Sequence, residues 1–204
     1  MIRRSLVCAA VALLVGACAR APAPPAPPQT VRTVAVFPPN NRTGDELVVA
    51  GGTLLEKYAF HTERVTVGDV LAAEARRQLD GDGLVVVAPD VVDAAVADYR
   101  PQTAETAARQ AARAHIDAAV LFIEIRRWEP DAPFNPSSII VALSVTLIDP
   151  ADGRVLWSAE RPTRPVATQG AVNPGAADIV AAAKVIQELL APFAQPRSLP
   201  HPPP

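Results

Sequence analysis

Few residues in this chain have types and spacing that could do chemistry, and the best placed is Cys18. It closes the run Leu13-Leu14-Val15-Gly16-Ala17. Arg3 and Arg4 precede an apolar stretch from Leu6 to Val15, roughly half of the 20 or so residues a helix needs to cross a bilayer. A positive start, a short apolar middle and small residues directly after it predict a cleaved secretory signal over residues 1–17. The Cys18 thiol then leads the mature chain, open to covalent modification. Cys8 leaves with the signal, so Cys18 is the single cysteine expected in the mature protein and a disulfide within the chain is excluded.

No other group of residues has the spacing of a catalytic or metal site. His61, His115 and His201 form no metal-ligand pattern. His115 ends an alanine-rich segment, where an imidazolium complements a helix dipole. Ser137, Ser138, Ser144 and Ser158 lack a Gly-x-Ser-x-Gly elbow, and Gly51-Gly52-Thr53 lacks the Gly-Lys-Ser/Thr of a phosphate loop. Asp80 with Asp82, and Asp149 with Asp152, fall where turns are expected and Asp bonds its own backbone. Trp157 reads as a core anchor. The expectation is therefore no catalytic residue, no metal and no cofactor. One segment stands apart: Asn40 to Arg64, too long to be an ordinary connection. Part of it is expected to pack on the domain as a helix or edge strand. Its aromatic pair Tyr58 and Phe60 is the candidate anchor for a protein partner.

The elements that must position these residues follow from apolar periodicity. Val31–Phe37 reads as a strand stopped by Pro38-Pro39. Thr66, with Asp69 three residues on, caps a helix carrying Val67, Val70, Leu71, Ala75 and Leu79 on one face and ended by Gly81 and Gly83. Leu84–Ala88 predicts a short strand covered on both faces. A helix from Pro89 to about Tyr99 follows, then one capped by Thr103 that runs to about Ala114. Strands are expected over 118–127 and 138–149, the latter turning through Pro150–Gly153 into a returning strand over 154–161. A helix from Gly175 to about Phe193 places Ile179, Ala183, Ile186, Leu190 and Phe193 on one stripe. The order predicts a single mixed α/β domain over 31–194: an approximately five-stranded mixed sheet with an antiparallel carboxy-terminal meander and helices on at least one face. Residues 18–30 form a Pro/Ala linker with polyproline II preference, and the Pro-rich tail 195–204 is expected to be disordered.

Removing residues 1–17 leaves 17 basic and 21 acidic side chains, a net charge of −4. A nucleic-acid ligand, which needs a basic face, is excluded on that ground. No later segment reaches eighteen uninterrupted apolar residues, so no helical span is expected.

Gly16-Ala17-Cys18 resembles the lipobox of bacterial lipoproteins, which implies a diacylglycerol on the Cys18 sulfur, cleavage before it and acylation of the new amino terminus. The domain resembles outer-membrane lipoproteins with a CsgG-like or LpoB-like domain, similar in fold to the amino-terminal domain of TolB. The residues that carry this resemblance are Thr33-Val34-Ala35-Val36-Phe37-Pro38-Pro39 with Asn41 and Thr43-Gly44, then Ile116-Asp117-Ala118-Ala119-Val120-Leu121, then Leu147-Ile148-Asp149 with Asp152-Gly153-Arg154-Val155-Leu156-Trp157. The resemblance implies a non-enzymatic protein-interaction module of the cell envelope, anchored by lipid to the outer membrane and facing the periplasm. Ala19, following the cysteine, agrees with outer-membrane sorting in that group. Two alternatives stay open: an accessory subunit of an envelope secretion or transport assembly, self-associating as a homo-oligomer, and a hydrolytic or small-ligand-binding domain in which His115 and nearby acids line a pocket.

Overall fold

The computed structural model describes residues 26–28, 30–49, 64–134 and 136–194. Among these, one mixed sheet carries six strands: β1 (Thr33–Val36), β2 (Asn40–Asn41), β3 (Val85–Val86), β4 (Ala119–Pro130), β5 (Ser138–Ile148) and β6 (Val155–Ala167). Their order is β3-β1-β4-β5-β6, with β2 also on β4. Four α-helices join them: α1 (Val67–Gly81), α2 (Pro89–Ala95), α3 (Ala104–Arg113) and α4 (Pro174–Leu190), the last followed by a 3-10 turn over Ala191–Phe193. The predicted single α/β domain is present.

The parallel half is built around β1, which pairs with β3 on one side and β4 on the other. Proline cannot donate to a ladder, and Pro38-Pro39 interrupt the strand as expected. The chain then rejoins the sheet as β2, with Asn40 opposite Glu124 and Asn41 opposite Ile125. This short return is the sixth strand, which the proline reading did not foresee. Both expected helix caps form: the hydroxyls of Thr66 and Thr103 accept from the backbone N–H of Asp69 and Thr106. The α1 residues Val67, Val70, Leu71, Ala75 and Leu79 are all buried. Helix α2 stops at Ala95 rather than near Tyr99, with the Val96 N–H closing the turn on Val92 and Asp93 carbonyls. Strand β3 is a two-residue edge whose Val85 is 63 % exposed, so the expected cover on both faces is absent there.

Helices lie on both faces. Val34 and Val36 join Leu121, Ile123 and Ile125 under α1 and α4, while Ala35 and Phe37 join Val120 and Phe122 under α2 and α3. Ala107, Ala108 and Ala111 of α3 let that helix approach closely. The second face is covered only at its β1 end. Further along it, Arg42, Glu124, Arg126 and Glu160 form a chain of ion pairs across the strands at 2.5–3.3 Å, with Arg126 donating also to the Ser144 hydroxyl.

The antiparallel half is longer than the periodicity indicated. A register shift between Ile125 and Arg127 carries β4 on to Pro130, and a second shift between Val141 and Leu143 carries β6 past Arg161 to Ala167. Bulges reset the two-residue alternation, so the expected ends at 127 and 161 mark bulges rather than termini. At the second bulge, Arg161 is 3 % exposed. It donates to the carbonyls of Val141, Arg164 and Pro165 at 2.8–3.2 Å and pairs with Glu188 of α4 at 3.3 Å. The bulge is held by a side chain supplying the donors. Burial pushes the Arg161 pKa down to about 10, helped by neighbouring Arg164, which leaves it charged near neutrality. Trp157 is the core anchor expected, edge-on to Phe193 with ring centroids 4.9 Å apart. On α4, Ile179, Ile186, Leu190 and Phe193 are buried as expected, but Ala183 is only half-buried, and Ala182, Val185 and Leu189 complete the stripe.

Arg161→Ala strips three carbonyls of a donor and leaves Glu188 with Arg164 alone, and should lower unfolding free energy by about 3 kcal/mol. Glu188→Ala, at the exposed end of the pair, should cost under about 1 kcal/mol. Urea midpoints at equal m-value measure both.

Candidate functional site

The chain leaving β1 through Pro38–Asn41, the amino ends of α1 and α4, the segment 44–48 and the carboxyl half of β4 form one rim of the domain. Crevices outside the carboxyl ends of parallel strands are where open α/β sheets bind ligands. Three clefts lie along this rim. The largest, about 520 Å³, is lined by Pro38, Asp69, Asp93, Asp98, Tyr99 and Arg100. A second, about 190 Å³, shares Pro38, Asp69 and Arg100 and extends to Glu46, Leu47 and Ile125. The third, about 220 Å³, shares Glu46 and Leu47 and reaches Trp128, Ile139, Pro174 and Asp178.

At the large cleft Arg100 and Arg76 offset two of the three acids Asp69, Asp93 and Asp98. Arg76 of α1 is attracted by both Asp93 and Asp69, although burial pushes its pKa down overall; it donates to the Val36 carbonyl at 3.3 Å. Arg100 lies on the same wall. No nucleophile–base pair sits there, and among the described residues no three His, Cys, Asp or Glu are grouped to hold a metal.

The third cleft is not balanced. Trp128 Nε1 donates to Asp178 Oδ1 at 2.8 Å, tying the end of β4 to the first turns of α4. Burial pushes the Asp178 carboxyl up to about 6, against the opposing effect of the Trp128 bond. No cation pairs with it among the described residues. Neighbouring acids are already engaged: Glu46 with Arg64 at 2.7 Å, and Asp131 by the Ser137 and Ser138 hydroxyls at 2.6 and 3.2 Å. The flanking loops are tied together, with Thr168 donating through Oγ1 to the Pro136 carbonyl and through its N–H to that of Ser137, both at 2.9 Å. These loops present Phe134, 87 % exposed, and Val172, 84 % exposed.

Of the residues singled out from sequence, Cys18, Tyr58 and Phe60 lie outside the described residues, as do His61 and His201. His115 is exposed with φ 55°. Its N–H bonds the Ala112 carbonyl and that of Ile116 bonds Ala111, the Schellman geometry that ends α3. It lines none of the three clefts, so its pocket-lining alternative loses its residue. The segment Asn40–Arg64 is partly structured: β2 at its start, and a bridge between Val48 and Thr66 where it rejoins. Trp128 and Asp178 escaped the sequence reading because strict alternation from Ile125 puts Arg127, not Trp128, on the buried face; only the bulge reverses this.

No protein-family model matches the chain, and no curated protein matches it in sequence. Solved structures similar to it include a PelC dodecamer from Paraburkholderia phytofirmans, at 20 % identity and TM-score 0.48, covering 85 % of this chain and 96 % of that one. Lipoprotein GNA1162 from Neisseria meningitidis matches at 20 % identity and TM-score 0.46, covering 76 % and 95 %. The LpoB carboxy-terminal domain from Salmonella enterica matches at 18 % identity and TM-score 0.39, covering 67 % and 82 %. LpoB, indicated by the sequence motifs, is thus among the structural neighbours. With every one of these TM-scores below 0.5, the assemblies and roles of those proteins are not carried over to this chain.

The Asp178 environment has a pH signature. Its folded pKa lies above the unfolded value, so its stabilising contribution is complete below pH 4 and is lost as pH rises through about 6. Asp178→Asn keeps the acceptor for Trp128 and removes the buried charge. It should stabilise the protein by on the order of 2 kcal/mol at pH 8, and the gain should vanish by pH 4 in denaturant melts across that range.

Proposed function

We propose that this chain is an envelope lipoprotein, acylated on Cys18 and anchored in the outer membrane facing the periplasm, whose domain binds protein and performs no chemistry. Signal peptide 1–17, acylated Cys18 with linker 18–30, domain 31–194 and tail 195–204 are its parts. The CsgG-like likeness rests on the sequence motifs alone. The observation that carries the reading is the polarity of the domain. The chain enters the sheet at Thr33, at the β4 end marked by Ala119, and α4 runs back to Ala194 at that same end, where Phe193 meets Trp157. The third cleft, with Trp128 and Pro130, and the loops carrying Phe134 and Val172 lie at the other end of β4, while the two clefts built on Pro38 open part-way along it, beside Leu121–Ile125. Twelve strand residues at about 3.3 Å each separate the two ends by roughly 35–40 Å. A tether at one end therefore presents the third cleft and exposed apolar side chains away from the bilayer. Among the described residues no helix is long and apolar enough to cross a membrane, so the lipid is the proposed means of attachment.

Tyr58 and Phe60 complete the reading as aromatic anchors for the partner, since their segment leaves and rejoins the fold beside Val48 on the rim. The near-complete exposure of Phe134 and Val172 favours one second reading, a subunit of a larger envelope assembly, whose signature is self-association in detergent.

Cys18→Ser should move the protein from the membrane to the soluble fraction of fractionated cells; retention on membranes refutes the anchor. Tyr58→Ala with Phe60→Ala should abolish co-purification of the partner while shifting Tm by no more than about 2 °C. A large fall in Tm instead assigns both rings to the core.

A further inference from the structure

We propose that the cleft between Trp128 and Asp178 receives a lysine side chain of a protein partner. This deepens the interaction-module reading and rests on it for the source of the lysine. At about 220 Å³ the cleft is below the range of sites that enclose whole small molecules, yet it has room for one long side chain. Its walls are Leu47, Val48, Pro130, Ile139 and Pro174, apolar surface suited to an alkyl stem that carries a charge at its tip. At the end of the wall stands the Asp178 carboxylate, the one acid here that the described residues leave without a cation or a hydroxyl pair.

The choice of ammonium over guanidinium follows from the same hydrogen bonds. Arginine binds a carboxylate best as a fork that engages both oxygens. Oδ1 of Asp178 is already taken by the Trp128 indole, which leaves a single oxygen, Oδ2, and a single oxygen suits a compact point charge. The loops that bring Pro136 and Pro174 to the cleft are fixed to each other through Thr168 and carry the exposed Phe134 and Val172, apolar side chains free to meet the same partner. A carboxylate held in place at a cost to stability, beside apolar side chains left in solvent, is the pattern of a surface completed by a partner.

The test uses the full chain carrying Cys18→Ser, labelled with ¹⁵N, and follows the Trp128 indole Nε1–H resonance. Titration with n-butylammonium chloride should give a saturable shift and lower the Asp178 pKa, and neutral 1-pentanol should do neither. Asp178→Asn should weaken the ammonium response at least about tenfold, whereas Glu129→Gln, an exposed acid outside the cleft, should leave it unchanged. In intact cells, carbodiimide should join Asp178 to a lysine of another protein, and Asp178→Asn should remove that product. The proposal is overturned by no saturation, by an equal response to 1-pentanol, by a crosslink only to Lys57 or Lys184 of the same chain, or by ammonium binding with no crosslink to another protein. The titration does not depend on lipid, so failure of the anchor and failure of the cleft are read separately.

Discussion

The run Val34-Ala35-Val36-Phe37 must divide its side chains between two hydrophobic clusters, and much of the architecture follows from that demand. Alternate residues point to opposite sides of a strand, so an apolar run of this kind is stable only with a helical layer on each side. The connections supply them: α1 between β1 and β3 covers one side, and α2 with α3, between β3 and β4, cover the other. The helices after β3 are short and end at Arg113, so they shelter β1, the start of β4 and the end of β5 at Ile148. Beyond them the same side of the sheet must be polar, and the ion pairs from Arg42 to Glu160 occupy it. The opposite side stays apolar to the edge, because α4 returns along it after β6.

Local rules made most of this fold readable from the sequence. Thr66 and Thr103 cap helices by hydrogen bonds confined to their own first turns, and Gly153 takes the positive φ of 73° that its hairpin requires. Such features need no knowledge of the rest of the molecule. What stayed hidden was long-range. The two bulges lengthen β4 and β6 by resetting alternation, and one of them depends on Arg161 meeting the Val141 carbonyl, 20 residues away in β5. Strand β2 is only two asparagines, defined by its partner on β4 rather than by apolar pattern. The third cleft was illegible for the same reason: Trp128 faces inward only because of a bulge, and Asp178 is a single acid in the amino-terminal half of an otherwise apolar helix segment. Cys18 is the opposite case, a residue whose meaning lies wholly in its immediate neighbours.

Stability and purpose part company at the rim. Three buried polar side chains away from the third cleft have clear partners: Asn40 donates to the Gln102 carbonyl at 2.8 Å, Thr168 to that of Pro136, and Arg161 to three carbonyls. Each makes a junction between elements more specific. Asp178 receives one bond from Trp128 and no countercharge from the described residues, a cost that a domain selected for stability alone would not carry.

The two margins of the sheet have a consequence for life on a crowded surface. One margin, β3, is two residues long; the other, β6, contains Pro162 and Pro165, which lack N–H groups and break the row of donors a foreign strand would need. Lipid tethering, as proposed, confines many copies to a thin layer and multiplies their encounters. Blunt margins of this kind let neighbours jostle without annealing backbone to backbone, so any contact that lasts must be written in side chains.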